Sequence, residues 1–125
     1  MADYTAKQIK DMQAGFGGGL VKVRAELGVT AFGVQVIQLP PEFADYPEHD
    51  HAESGQEEVY IALSGSGWLD VEGERIDLDD ETVVRVGAET KRKVHAGPQG
   101  LRMLAVGGCP GAAYEIAPMT ELDAA

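Results

Sequence analysis

Short segments in which apolar and polar residues alternate follow one another along most of this chain. The clearest runs from Glu58 to Leu63, where Val59, Ile61 and Leu63 form a wholly apolar side. A period of two residues indicates a half-buried β-strand. The 16 glycines and six prolines supply turns between such segments, and the sequence contains no long amphipathic helix. The pattern predicts an all-β barrel or sandwich, and 125 residues suffice for a single domain.

The alternation also predicts where individual strands and turns lie. Glycines at 65–67 and the segment 97–100 read as tight turns, and 119–125 reads as a frayed tail. The predicted strands comprise residues 20–26, 31–39, 49–51, 58–63, 68–71, 75–78, 82–86, 92–96 and 101–106.

Two of the three histidines, His49 and His51, lie two residues apart. On a strand both imidazoles point to one face and Asp50 points to the other. A hairpin can then bring Glu58 opposite the two histidines. Two imidazoles and one carboxylate, with other coordination positions open, form a facial triad suited to Fe(II), Mn, Ni or Zn. If the strand began one residue earlier, Glu57 would be the ligand instead, but the apolar face described above favours Glu58.

The segment His49-x-His51, the polar loop after it, Glu58 and Gly65 resemble the first conserved motif of the cupins. The resemblance extends over about Leu20–Pro118 and implies a double-stranded β-helix, the jelly-roll barrel of cupins. It implies residues 1–19 as an N-terminal extension, 20–118 as the barrel and 119–125 as a C-terminal tail. It also implies a homodimer and a divalent metal ion inside the barrel. Cupins include oxygenases, isomerases, binding proteins and storage proteins, so the resemblance identifies the fold better than the function.

The second cupin motif, to which the resemblance assigns a fourth metal ligand, departs from the family pattern here. The position of the expected histidine holds Arg92, which stays protonated and has no lone pair to offer a metal. His95 follows three residues later, and this odd spacing puts it on the opposite face of a strand. His95 joins the ligands if a bulge shifts the register or the alignment differs; otherwise it is a surface or interface histidine.

Three interpretations of the site therefore stay open. In the first, His49, His51 and Glu58 bind the metal alone, and Arg92 orients an anionic substrate. In the second, the pocket is metal-free, Arg92 pairs with Glu58, and the pocket binds a small ligand. In the third, His95 completes a set of four ligands. Tyr60, two residues after Glu58 on the same strand face, lines the pocket; Arg92 and Tyr60 are the candidate catalytic residues.

Charge and cysteine content bear on partners and compartment. The formal net charge is −11 and the isoelectric point is about 4.5, which disfavours nucleic acid and anionic membrane surfaces as partners. Cys109 is the single cysteine, so no intrachain disulfide forms and a reducing compartment is expected. The first ten residues lack the apolar core of a signal peptide. These features predict a cytoplasmic protein, and Val59 and Ile61 supply outward apolar surface for the homodimer.

Two function classes remain. In one, the protein is a metal-dependent enzyme, a dioxygenase or an isomerase, that acts on a small anionic organic molecule. In the other, it is a non-catalytic cupin that binds a small ligand in a metal-free pocket with an Arg92–Glu58 pair. Oxygen consumption and the redox activity of the metal would distinguish the two.

Overall fold

The computed structural model describes residues 2–124, which form one antiparallel sheet that folds over on itself. Its seven strands are β1 (Ala14–Gly15), β2 (Leu20–Val21), β3 (Gly33–Leu39), β4 (Glu57–Val71), β5 (Glu74–Leu78), β6 (Val84–Val86) and β7 (Arg92–Gly108). The strand order is β1-β2-β3-β7-β4-β5, and β6 pairs with β4. One short helix, α1 (Val23–Leu27), and three 3-10 turns, Ile9–Asp11, Phe16–Gly18 and Pro118–Thr120, complete the described structure.

The two long strands β4 and β7 give the molecule its barrel shape. Their first pairing joins Glu57–Gly65 to the second half of β7, and their second pairing joins Gly67–Val71 to its first half. Register shifts at Ala62/Ser64 and Gly65/Gly67 separate the two pairings. At these irregularities the strands bend, so both strands belong to both walls of the barrel.

The turns predicted at 65–67 and 97–100 are therefore wrong, because the chain bends there without leaving the sheet. Gly65 and Gly100 have φ of 73° and 80°, which disfavour residues with a Cβ. They also lie against each other: a Cβ on Gly65 would be 2.1 Å from the Gly100 carbonyl oxygen. Such glycines look like turn residues in sequence, but here they allow two bent strands to stay paired.

Side chains from both walls meet in one core. Ile37 and Met103 come from the first wall, and Leu69 and Val94 come from the second. Each is at most 5% exposed. The inward positions of β4 confirm the predicted alternation, because Tyr60 and Ala62 are buried while Leu63 is 41% exposed.

The strand predicted at 20–26 is wrong after Val21. Residues Val23–Leu27 form α1, which ends at Gly28 in the left-handed conformation with φ of 78°. The Gly28 and Val29 amides donate to the Arg24 carbonyl, so glycine terminates the helix. Val21 and Val23 pack together with Val36, which explains why both positions are apolar.

The tail predicted to fray is docked through residue 124. The buried Lys22 donates through Nζ to the carbonyl oxygens of Glu121 and Ala124, at 2.8 and 3.0 Å. Gln13 and Asp123 exchange a further pair of hydrogen bonds. The C-terminal segment is thus held against the N-terminal one. None of the helices within residues 2–124 combines the length and apolar character that crossing a membrane requires.

Candidate metal centre

Backbone contacts fix the segment that carries the two histidines. The His49 amide donates to the Arg92 carbonyl and the Arg92 amide donates to the His49 carbonyl, both at 2.9 Å. The His51 amide donates to the Ala88 carbonyl at 2.7 Å. The predicted strand 49–51 is therefore reduced to a single bridge to the start of β7. Both imidazoles nevertheless point to the same side, with ring centroids 5.0 Å apart.

The carboxylate of Glu58 is the centre on which the surrounding side chains converge. Its Oε1 lies 2.9 Å from His51 Nε2 and 3.8 Å from His49 Nε2. The Tyr60 hydroxyl donates to the same oxygen, and Arg92 Nη2 lies 3.5 Å from it. Residues from the histidine segment, β4 and β7 therefore meet at one atom.

The spacing of the potential ligands fits a single metal ion. One ligand atom from each of His49, His51 and Glu58 lies within 4.8 Å of the others. Ligands at right angles around a metal, each about 2.1 Å from it, lie about 3 Å apart. The His51–Glu58 distance of 2.9 Å already matches this value, and the 3.8 Å between His49 Nε2 and Glu58 Oε1 exceeds it by about 0.8 Å. These three residues are therefore able to hold a metal ion.

The tautomer of His49 also suits a metal ligand. Its Nδ1 lies 3.1 Å from the Pro47 carbonyl oxygen. Because a carbonyl oxygen can only accept, Nδ1 carries the hydrogen, and neutral His49 keeps its lone pair on Nε2. That nitrogen faces Glu58. Metal-binding histidines commonly donate a hydrogen bond from their second ring nitrogen to such a partner.

Electrostatics keep the site ready for a cation. Burial raises the pKa of Glu58, but its neighbours His49, His51 and Tyr60 outweigh this effect and hold the pKa well below its usual range. The Glu58 carboxylate in turn raises the pKa of His49. Burial and the same carboxylate raise the pKa of Tyr60, so this phenol keeps its proton. Glu58 is therefore an anion, and Tyr60 holds one of its oxygens in place.

Arg92 points inward, but it lies deeper than a substrate anchor needs to be. The side chain is 1% exposed, and Nη1 donates to the Thr90 carbonyl at 2.8 Å. Nη2 lies 3.5 Å from both the Val86 carbonyl and Glu58 Oε1. The guanidinium thus supports Glu58 from behind, as in the predicted Arg92–Glu58 pair.

His95 does not join this cluster. Its imidazole stacks on Trp68, with ring centroids 4.8 Å apart and an interplanar angle of 8°. Arg92, Val94 and Ala96 alternate with it and are buried in the barrel. His95 therefore lies on the outer face of the sheet, and its prediction as a fourth ligand is corrected. Glu57 is also outside the site, because it pairs with Arg85 at 2.7 Å.

Tyr46 is a site residue that the sequence did not indicate. Its ring lies 6.0 Å from that of His49 and lines the same cavity. Burial, reinforced by the Glu58 charge, raises the pKa of Tyr46 to about 12. The segment 42–46 has no periodicity, so nothing in the sequence indicated which side chain would enter the barrel.

A small cavity lies beneath the site and a broad cleft opens above it. The cavity has a volume of about 20 Å³ and borders His49, Glu58, Tyr60 and Arg92. It has room for a water molecule and not for an organic substrate. His49, His51 and Glu58 also border the cleft, so a small molecule can reach the three potential ligands from that side.

Comparison with solved structures identifies the architecture. A cupin protein from Bacteroides fragilis aligns over 100% of this chain and 98% of its own, with 24% identity and a TM-score of 0.71. The chain has the cupin fold. A sugar phosphate isomerase of the cupin superfamily from Silicibacter pomeroyi aligns over 71% of this chain and 57% of its own, with 17% identity and a TM-score of 0.62. A predicted oxalate decarboxylase from Thermotoga maritima aligns over 62% of this chain and 65% of its own, with 23% identity and a TM-score of 0.54.

At these identities, the comparisons establish the cupin fold and leave the activity to be argued from the site. No protein-family model matches the sequence, and no curated protein matches it. In this cupin barrel, three potential ligands, a buried guanidinium and two protonated phenols surround one point at the base of an open cleft. Such an arrangement is suited to hold a cation and to present it to a small molecule.

Proposed function

We propose that this cupin binds one divalent metal ion, Fe, Mn, Ni or Zn, through His49, His51 and Glu58. With that ion it would act on a small anionic organic molecule, by oxygenation or isomerisation. The observation that carries the proposal is the convergence of the three ligand atoms within 4.8 Å at the base of the cleft. Three protein ligands leave coordination positions open for a substrate.

Each neighbouring side chain has a defined task in this proposal. The Pro47 carbonyl orients His49, and the Tyr60 hydroxyl holds the carboxylate of Glu58. Arg92 supports the same carboxylate from the buried side. Tyr60 and Arg92 are thus positioning residues for Glu58. The bound metal would supply a Lewis acid or a centre for oxygen activation.

The preference for an anionic substrate follows from the charges at the site. A divalent cation held by one carboxylate and two neutral imidazoles keeps a net positive charge, and Arg92 adds to it. An anion entering the cleft is attracted to this point. The names of two proteins with the same fold, a sugar phosphate isomerase and a predicted oxalate decarboxylase, also refer to small anions, which is support by fold analogy.

The second candidate function is a metal-free pocket that binds a small ligand without catalysis. The contact of Arg92 Nη2 with Glu58 Oε1, at 3.5 Å, favours it. In that case, the guanidinium neutralises the buried carboxylate in place of a metal, and the histidines line the pocket.

Elemental analysis of untagged protein distinguishes the metal-binding triad from the metal-free pocket. His49→Ala is the test variant, and His95→Ala is the matched control. We expect about one metal ion per chain in the wild type and in His95→Ala, and loss of the metal in His49→Ala. Equal metal content in His49→Ala and the wild type would reject the triad. A wild type that takes up no metal after reconstitution would leave the metal-free pocket as the function. Oxygen consumption by the iron-loaded protein then separates oxygenation from isomerisation.

We further propose a cytoplasmic homodimer. The single cysteine, Cys109, favours a reducing compartment. The outward apolar side of β4, with Leu63 41% exposed, supplies surface for a second copy, so we expect the protein to sediment as a dimer at micromolar concentrations.

A further inference from the structure

Gln35, on β3, is a buried amide without a partner. Gln35 is only 9% exposed, and neither its Oε1 nor its Nε2 forms a hydrogen bond within the described structure. Gln38 on the same strand is the contrast: its Nε2 donates to the Gly18 carbonyl, and its Oε1 accepts from Arg102 Nε. An unpaired buried amide is unfavourable, so its retention in a strand needs a reason.

The strand register places Gln35 close to the metal centre. Gln35 pairs with Ala105 of β7, and Ala105 pairs with Tyr60 of β4. In the adjacent row, Gly107 of β7 pairs with Glu58. Neighbouring strands lie about 4.8 Å apart, so the backbones of Gln35 and Tyr60 are about 10 Å apart. Ala105 and Gly107 have little or no side chain, so backbone forms most of the cleft floor between Glu58 and Gln35.

Two more polar side chains border this floor. A Cβ on Gly107 would lie 2.7 Å from Gln56 Cδ, so the Gln56 amide lies directly over Gly107. A Cβ on Gly33 would lie 2.5 Å from the Tyr114 hydroxyl, two residues from Gln35. We call Gln35, Gln56, Ala105, Gly107 and Tyr114 the outer subsite. All five residues border the cleft that leads to His49, His51 and Glu58.

The groups of the outer subsite are neutral and its surroundings are acidic. Two amides and one phenol offer donors and acceptors, and a hydroxyl group satisfies both kinds at once. Glu115 follows Tyr114 directly in the chain and places a carboxylate at this end of the cleft. The carboxylates of Asp50 and Glu53 also border the cleft, together with one guanidinium, that of Arg102, whose Nε donates to Gln38. These carboxylates oppose a second anionic group at this end of a ligand.

We propose that the outer subsite binds the hydroxylated, uncharged end of a small acid whose anionic end lies at the metal centre, and that Gln35 selects for that end. This inference rests on the proposed metal-dependent function. It narrows the substrate class to hydroxy acids with a single anionic group. The buried amide of Gln35 is the specificity determinant, since a ligand without a hydroxyl leaves it unpaired.

Amide-resolved NMR titration of the zinc-loaded protein tests the inference with three probes of equal chain length. Gluconate has one carboxylate and a hydroxylated chain, hexanoate lacks the hydroxyls, and glucarate has a second carboxylate. We expect gluconate to bind more tightly than the other two and to shift the amide signals of Ala105 and Gly107. Gln35→Met, which keeps the side-chain volume, should weaken gluconate about tenfold and leave hexanoate unchanged. Gln38→Met is the control and should leave the affinity for gluconate unchanged.

Thermal unfolding of the ligand-free variants gives a second readout. Because the Gln35 amide has no partner, Gln35→Met should raise the melting temperature, whereas Gln38→Met, which loses two hydrogen bonds, should lower it. A lower melting temperature for Gln35→Met together with an unchanged preference for gluconate would show a structural amide and overturn the inference. Metal content is measured in every sample. If zinc-loaded protein binds gluconate and hexanoate equally well, the outer subsite is rejected and the metal centre is not affected. If the protein takes up no zinc, the proposed metal-dependent function is rejected.

Discussion

Glu58 determines most of the chemistry available to the residues around it. One of its two carboxylate oxygens, Oε1, contacts His51, Tyr60 and Arg92. A buried carboxylate with several partners is stable as an anion, and its charge makes neighbouring groups hold their protons more tightly. In the metal-free protein, a protonated histidine therefore takes the place of the metal ion beside Glu58.

The stability of the metal-free protein should therefore pass through a maximum between about pH 4.5 and 6.5. The pKa of Glu58 is lowered below its ordinary 4.5, so its contribution is present above that value and lost as pH falls through the lowered pKa. The pKa of His49 is raised above 6.5, so its contribution is present below 6.5 and lost as pH rises through the raised pKa. Urea unfolding of chelator-treated protein across this range measures the curve.

The His49→Gln variant is the control for this pH dependence. It should lose the decline on the alkaline side and keep the decline on the acidic side, where Glu58 is protonated. An alkaline decline that is as steep in His49→Gln as in the wild type would show that another group causes it.

How much of the site the sequence could predict differs from residue to residue. His49, His51 and Glu58 were predictable because a spacing of two on one strand face and a hairpin to the next strand are local rules. The position of Arg92 at the site was predicted from the resemblance to the second cupin motif, and parity placed His95 on the opposite face. The positions of Tyr46 and Gln35 at the cleft were not predictable, since one lies in a loop without periodicity and the other depends on pairing with a distant strand.

At the scale of elements, the paired bends of β4 and β7 hold the site together. They allow β4 to carry Glu58 in one wall while its end, at Val71, pairs with Arg92 in the other. The sequence pattern predicted the strands of both walls, but it predicted turns at the two bends, because a glycine in a bulge and a glycine in a loop cannot be distinguished by sequence. The helix α1 was missed for a related reason: five residues are too few to distinguish a period of 3.6 from a period of two.

Gly65→Ala should destabilise the protein far more than Gly73→Ala. Both glycines have a positive φ, 73° and 89°, so each substitution carries the cost of a left-handed alanine, about 1–2 kcal/mol. At Gly65 the new Cβ would also meet the Gly100 carbonyl oxygen at 2.1 Å, whereas at Gly73 it meets nothing within 4 Å. We expect a loss of more than about 3 kcal/mol for Gly65→Ala in urea unfolding. Equal losses would show that the two bends are not in close contact.

At the scale of the whole molecule, the outer surface of the sheet is covered unequally. Ile9, Met12 and Leu27 pack with Val34 and Leu104 over β3 and part of β7. The outward side of β4 has no such cover within the described residues: Val59 and Ile61 are half-buried, and Leu63 is 41% exposed. The N-terminal segment therefore covers one half of the outer apolar face, and the outward side of β4 is its open half.

If this open half joins two copies, Leu63→Glu should shift the wild-type dimer towards monomer, because the interface would bury an unpaired carboxylate. Val83→Glu, at a position 63% exposed and outside the strands, adds the same charge and should leave the dimer intact. Sedimentation velocity at micromolar concentrations measures both, and we expect at least a tenfold weaker association for Leu63→Glu. Each chain carries a net charge of −11, so added salt should strengthen the wild-type dimer by screening the repulsion between copies. A wild-type protein that sediments as a monomer in both low and high salt would refute the dimer, and it would mean that the outer face of β4 remains in contact with solvent.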